Sequence, residues 1–481
     1  MKHTYLPLKC LPFVVAAALA GMSATAQASG YRFGSQSVSG QGTADANGAE
    51  ASDASTIFYN PAGLSRLDGT QIVGGGTLVL PHSSFQDTGS TTFTGRPTTG
   101  AAKDYAPDAV FAPAVYASKK INDQWTIGAG LFVPYGAKLD YGNQWSGRYA
   151  ITNIKLEAVA LNPSVAFKLN EHHSFGFGIT AEYMKAELGQ AVDVPGTVKA
   201  LSANPVVSGA FLASVAKAQG LAAANAAGIA LLGAKDGHAS MDGNDWGFGF
   251  NLGYLYQMNE GTRFGISYRS SISHKLKGDT IWDFSQVSNN AAVNGFISGA
   301  SGKVNSKALV ELRTPETVSI NAFHQMDDRW ALMGDVTWTR TSRLQNLDIQ
   351  FPPTAEGAER IRQNWKDTYR VSLGTNYKYS ESLMLRAGIA HDQAPVRSAE
   401  LRHPALPDSD RMQYSVGANW KLNANSSIDL AYSYIDFKDA DVNYTNDCSP
   451  VKTGCTGNGE TTKGLFKTRM QLIGLAYNYK F

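Results

Sequence analysis

Beyond its first 28 residues, this 481-residue chain lacks any run of the ~20 consecutive apolar residues that a membrane-spanning helix needs. That excludes a helical membrane protein. It leaves open the closed β-barrel, the other structure that satisfies its backbone hydrogen bonds in lipid. An excess of charge is lacking too. With Lys2 and Lys9 assigned to a leader, 40 basic residues face 40 acidic ones, and no nucleic-acid partner is expected. Cysteine is scarce, three in all. Cys10 lies in the leader, so Cys448 and Cys455 remain; an exported chain with one such pair in a short polar loop predicts a disulfide, and the loop has too few ligands for a metal. There is no G-x-S-x-G elbow, H-E-x-x-H, Walker loop or G-x-G-x-x-G, so no catalytic residue, cofactor or metal is expected. His172-His173 falls in a turn and reads as solvated, with metal binding as the alternative.

What is present begins with that leader. Lys2 and Lys9, the apolar run Leu11 to Ala20 and the small-residue site Ala26-Gln27-Ala28 read as a secretory signal over 1–28. Residues 29–67 follow, polar and glycine-rich, with Tyr31, Phe33, Ile57, Phe58 and Tyr59, closing on an Asn60-Pro61-Ala62 turn. This segment has no core of its own and is expected to be a plug, a luminal hatch. The remaining 68–481 reads as a barrel around it.

The last segment shows why. Ile473, Leu475, Tyr477, Tyr479 and Phe481 alternate with Gly474, Ala476, Asn478 and Lys480, one face for lipid and one for a polar lumen. The pattern recurs at Met412–Trp420, Ile428–Tyr434 and Trp330–Trp338. Fourteen such segments are expected, between residues 70 and 481, with short turns alternating with long loops. The predicted fold is all-β: a 14-stranded antiparallel transmembrane β-barrel in the bacterial outer membrane. Pro134, Pro163 and Pro315 interrupt strand patterns, each marking a bulge, edge or kink, with a simple bulge favoured at Pro163 and Pro315.

The longest outer loop, 188–242, changes period. Phe211, Val215, Ala218, Ala222, Ala226, Ile229 and Leu232 recur at helical spacing. This predicts a helix or helical pair whose apolar face packs on the barrel rim or, alternatively, takes a lipophilic ligand. On 366–378, if Tyr369, Val371 and Leu373 face lipid, then Lys366, Thr368, Arg370 and Ser372 face inward. Lys366, at the loop-facing end, meets either an anionic ligand or an internal carboxylate. Lys185 shares a face with Tyr183 and is expected to snorkel at the outer interface.

An ordered series of short motifs resembles the FadL-type (FadL/TodX) outer-membrane transporters of long-chain fatty acids and other hydrophobic compounds. It runs from Ser29-Gly30-Tyr31-Arg32-Phe33 and Asn60-Pro61-Ala62 through Pro134-Tyr135-Gly136 and Leu161-Asn162-Pro163-Ser164. Asp245 to Asn251, Tyr268-Arg269-Ser270, Leu312 to Glu316, Lys366 to Arg370 and Pro407 to Arg411 continue it. The resemblance implies a monomeric barrel with an internal hatch, delivered by the outer-membrane assembly machinery and surrounded by lipid and lipopolysaccharide. It implies ligand contacts at Ser29, Tyr31, Phe33, Asn60, Pro61 and Lys366, and an inward kink at Val133, Pro134, Tyr135 and Gly136 that opens the wall laterally. It also implies capture by an outer-loop hydrophobic face at Phe211, Val215 and Ile229. Fatty-acid members meet the carboxylate with basic and hydroxylated side chains; Lys366 matches such a position, whereas Val133 and Gln190 stand beside it. The expected function is passive uptake of long-chain fatty acids, with aromatic or alkane hydrocarbons as the runner-up. A general porin and an outer-membrane lipid hydrolase are the rivals from other classes; the plug disfavours the first, and the lack of a Ser/His arrangement the second.

Overall fold

The alternation sorts side chains as lipid and lumen require. Along Thr368–Lys378, Tyr369, Val371 and Leu373 are exposed while Thr368, Arg370, Ser372 and Asn376 are buried. Trp330, Tyr379, Trp420, Tyr479 and Phe481 form an exposed aromatic rim near the short turns. The computed structural model describes residues 32–103, 105–106, 109–202, 205–352, 357–449 and 456–481. The leader, Ser29, Tyr31 and Cys455 lie outside the described residues.

The first six strands are β1 (Thr70–Asp87), β2 (Val110–Lys120), β3 (Trp125–Asp140), β4 (Asn153–Lys168), β5 (His173–Val192) and β6 (Gly237–Asn259). Four more come in two collinear pieces: β7 (Thr262–Arg269, Ser273–Asp283), β8 (Ser306–Arg313, Thr317–Gln325), β9 (Trp330–Thr339, Asn346–Gln350) and β10 (Glu359–Arg362, Thr368–Lys378). Then come β11 (Leu383–Asp392), β12 (Arg411–Lys421), β13 (Ser426–Phe437, Ala440–Thr445) and β14 (Thr461–Lys480). All pairs are antiparallel, and β14 pairs with β1 from Gln71↔Lys480 to Asp87↔Gly464, closing a 14-stranded barrel. Closure leaves the sheet without a first or last edge strand. The short turns share one device: Asn122, Asn170, Asp327 and Asn423 each accept backbone N–H bonds two or three residues ahead.

Prolines act in two ways. At Pro134 the β3–β4 register shifts between Phe132↔Ala160 and Tyr135↔Ala158, so Val133 and Pro134 oppose Val159 alone, a true bulge. The bulges expected at Pro163 and Pro315 do not form. Leu161↔Ala181 and Ser164↔Gly178 keep one register, because Asn162 Nδ2 donates to Ile179 O at 2.8 Å in place of the missing proline N–H. Across Pro315, Arg313↔Ser273 and Thr317↔Arg269 likewise stay in register, bridged by Thr314 N to Ile272 O at 2.9 Å.

The long loop is shorter than expected, because β5 and β6 pair out to Val192↔Gly237. It holds α3 (Val194–Ser202), α4 (Pro205–Gln219) and α5 (Leu221–Leu232), and α6 (Ala291–Ser301) caps the β7–β8 loop. Gly220, at φ +90°, separates α4 from α5 and resets the helical phase. Phe211 and Val215 therefore pack inward, with Phe211 stacked on Phe296 at 3.9 Å, while Ile229 and Leu232 point out to solvent. The single apolar face read from the spacing is split by that glycine.

Candidate functional site: an apolar path, a plug and a parted wall

Residues 32–67 fill the lumen and are held mostly through their backbone carbonyls. Arg263 donates to Ala49 O and Glu50 O, Arg370 to Ala44 O, Arg269 to Phe58 O and Asn251 to Ile57 O, while Gln41 of the plug donates to the wall carbonyl of Leu472. The segment comprises α1 (Val38–Gly42), α2 (Thr56–Tyr59) and a 3-10 turn Pro61–Arg66. Asn60, fully buried, caps that turn: its Oδ1 accepts from Ala62 N and its Nδ2 donates to Tyr254 O, both at 3.1 Å. Pro61 takes the first position of the turn, where its missing N–H costs nothing.

Two glycine-lined wall patches let the plug approach so closely. On β5–β7, a Cβ at Gly176 or Gly253 would overlap Ala62 N or Asn60 Oδ1. On the β11–β12 wall, a Cβ at Gly388 would overlap Thr43, and one at Gly417 would lie 2.9 Å from Gly42 Cα. Charges reinforce the second patch, where Arg370 bridges Asp45 (3.1 Å) and Asp392 (3.5 Å). Backbone strain accompanies this seat, since Ala44, Asp45 and Ala51 all have positive φ.

The bulge parts the wall. The β2–β3 ladder stops at Val115↔Leu131, and the remaining β2 residues, 110–114, pair with β1 alone. Instead of β2, the freed stretch of β3 binds the plug: Phe33 N donates to Pro134 O at 2.9 Å, Gln36 Nε2 donates to Val133 O at 2.7 Å, and Arg32 bridges Tyr135. Phe33 and Val133 are buried in one apolar cluster with Val110, Ala112, Val79 and Leu472, beside the parted strands. Tyr135 and Gly136 are buried as well.

An apolar path leads toward this point. Above the bilayer the barrel inverts its pattern: on β8, Lys307, Glu311 and Arg313 look out while Ala308 and Leu312 are buried inward. Lys307–Asp279 and Lys275–Glu311 ion pairs mark the outer, wet face. The inward residues, among them Leu156, Leu188, Leu276, Leu312, Leu344 and Ile361, surround a cavity of about 90 Å³, with Glu187, Asp242 and Gln363 also in its lining. Its upper end, at Ile349 and Ile361, joins the cluster formed with the loop helices, and its lower end joins the cluster that contains Tyr135.

Lys366 is half-buried and lines neither this cavity nor the plug. It lies near Asp410: burial raises that carboxyl, but the Ala394 N–H, Lys438 and Lys366 together hold it below the usual range. Gln190 is buried and donates to Glu359 at 3.1 Å. Lys185 pairs with Glu187 at 2.6 Å. Cys448 is disulfide-bonded. The cavity residues escaped the sequence reading, although the inverted charge pattern of Lys307–Arg313 signals them.

Comparison with known proteins places this geometry. A putative outer membrane protein of Neisseria meningitidis serogroup B is 38% identical, over 95% of this chain and 96% of its own length. A long-chain fatty acid transport protein of Escherichia coli is 30% identical over 89% and 92%. Among solved structures, a Pseudomonas aeruginosa FadL homologue superposes with a TM-score of 0.77 at 22% identity, covering 94% of this chain and all of that one. The Ralstonia pickettii toluene transporter TbuX reaches 0.59 at 17%, covering 89% and 94%. The family model described as outer membrane protein transport protein (OMPP1/FadL/TodX) matches residues 19–481, so this plugged, 14-stranded outer-membrane barrel belongs to that family.

Proposed function

We propose that this protein carries long-chain fatty acids passively across the outer membrane. The chain is captured at the apolar rim of the loop helices, with Lys366, in the break between the two pieces of β10, attracting the carboxylate. It slides down the apolar cavity, meets Phe33 at the bulge, and leaves sideways between β2 and β3. The observation that carries this reading is the coincidence of three features at one point: the lower end of the apolar path, the amino-terminal segment, and the parted β2–β3 wall. Burial supplies the attraction, roughly 25 cal/mol per Å² of apolar surface removed from water. In this proposal 29–67 acts as a hatch whose bonds to Val133 and Pro134 couple its movement to the exit. A water-filled pore does not suit a lumen so occupied.

The second reading, uptake of aromatic or alkane hydrocarbons, is favoured by the cavity, whose lining among the described residues is mostly apolar, with Glu187 and Asp242 but no lysine or arginine to meet an anion. Cells expressing and lacking the protein, assayed for oleate and toluene uptake, decide between the two. Deleting Pro134 removes the extra bulge residue and lets β3 continue along β2. Oleate uptake should then fall while the purified protein still binds oleate. Unchanged uptake of both compounds in cells lacking the protein would sink the reading.

A further inference from the structure

The wall is loosely joined at a second place. Pairing of β6 with β7 stops at Asn251↔Arg269 and resumes at Asn244↔Lys277, so residues 245–250 face 270–276, one residue more on β7. The extra residue interrupts the ladder, as a bulge does. Across this stretch Ser270 N donates to Phe250 O at 2.9 Å, and two side chains accept backbone bonds: Ser270 Oγ from Phe250 N at 2.9 Å and Asp245 Oδ2 from Lys275 N at 2.8 Å. Side chains close the rest. A Cβ on Gly247 would overlap Ile272 and His274, and one on Gly249 would overlap Ile272, so these two buried side chains lie flat over the glycines from inside. His274 Nε2 stands 3.0 Å from Glu182 Oε1 on β5, and Glu182 is the ladder partner of Gly247, so β7 is stapled across β6 onto β5.

The gap has an apolar mouth on each side. Outside, Trp246 and Phe248 are exposed, Trp246 meets Tyr183 at 5.3 Å, and the exposed Lys275–Glu311 pair lies beside them, which puts the mouth at the outer edge of the hydrocarbon. Inside, Leu276 shares the face of His274, lines the upper cavity and belongs to the cluster that contains Tyr135. Tyr135 Oη donates to Pro315 O at 3.4 Å, next to Thr314, which binds both the N–H and the carbonyl of Ile272. The bulge in β3 and the gap therefore share one support. We propose that this gap is a second lateral door, joining the foot of the upper cavity to the outer leaflet, with Ile272 and His274 as its leaf and the His274–Glu182 contact as its latch. It suits uncharged, chain-like lipophiles already dissolved in the membrane, because the carboxylates of Glu182 and Asp245 stand beside it and offer nothing to an anionic head. Opening requires two side chains to swing off glycine rather than a backbone ladder to break. The door rests on the transport reading for the cavity it serves, and goes beyond it by admitting molecules that never pass the loops.

The test loads phospholipid vesicles holding the full-length protein with a diazirine-bearing hexadecane, too insoluble to reach the outer loops through water, and maps photo-adducts on the inward Leu156 and Leu312. Gly247→Cys with Ile272→Cys puts two sulfurs where these residues now meet, within disulfide reach. The pair is made in the Pro134-deleted chain, so that the β2–β3 exit is shut. Reduced, this chain should label both leucines; oxidised, it should lose the label, while the Pro134-deleted chain without the new cysteines keeps it under the same oxidation. Ile272→Ala, which needs no cross-link, should raise labelling severalfold over wild type, and heat-dependent gel mobility controls for folding. Equal labelling of the oxidised and reduced chains, or labelling present in wild type but absent from the Pro134-deleted chain, overturns the second door and leaves the β2–β3 exit standing. Wild-type protein without label on either leucine overturns both.

Discussion

At the scale of single residues, the plug is secured by buried charges in addition to the apolar packing of Ile57, Phe58, Leu64 and Leu67 on Val73, Tyr116 and Phe132. Arg370 contacts Asp45, Ala44 O, Asp392 and Gln413. Arg370→Leu leaves Asp45 buried without its cation, a loss of about 3 kcal/mol from the seated state. Limited proteolysis within 34–67 should accelerate, and adding Asp45→Asn should recover part of the protection. His403 offers a pH handle in the loop before β12. Burial pushes its pKa down to about 3, and its Nδ1 accepts from Ala405 N at 3.0 Å, so the ring is neutral when the loop is closed. An opened loop lets the ring regain its ordinary value near 6.5. The opened form therefore binds the extra proton between those values. Closure is fully stabilised above about pH 6.5 and weakens as pH falls toward 3. Relative to the intrinsic exchange rate at each pH, hydrogen-exchange protection over 399–410 should fall from pH 8 to pH 5, and His403→Gln should abolish that fall.

Among elements, the strands with inward glycines are those that touch the plug. Gly253→Leu in β6 drives a side chain into Asn60 and Pro61, an overpacking cost of about 1–3 kcal/mol. The turn should unseat while the barrel stays closed, read as increased single-channel conductance in planar bilayers with native heat-dependent mobility. The strand pattern was legible because alternation is local, and Pro134 announced the bulge. The glycine seats were not legible, because an inward glycine looks like any small luminal residue until its partner on the plug is known. The helical stripe misled at Gly220, where one positive φ turned Ile229 away from Phe211 and Val215.

For the whole molecule, closure from β14 to β1 makes the barrel one cooperative unit in lipid. It should run as a compact, faster band on a detergent gel when unheated and shift on boiling; absence of that shift would count against the architecture. The cavity, the plug and the parted wall then follow from how that closed sheet is filled. The amino-acid sequence by itself determined the number of strands and which face of each meets lipid, since a period of two is written in adjacent residues. Only the tertiary structure decided where β3 leaves β2, that Phe33 and Gln36 take up the released carbonyls, and that Arg269 holds the plug at Phe58 O. Those outcomes depend on residues about 100 to more than 200 positions apart meeting in one lumen, and no local pattern encodes such a meeting.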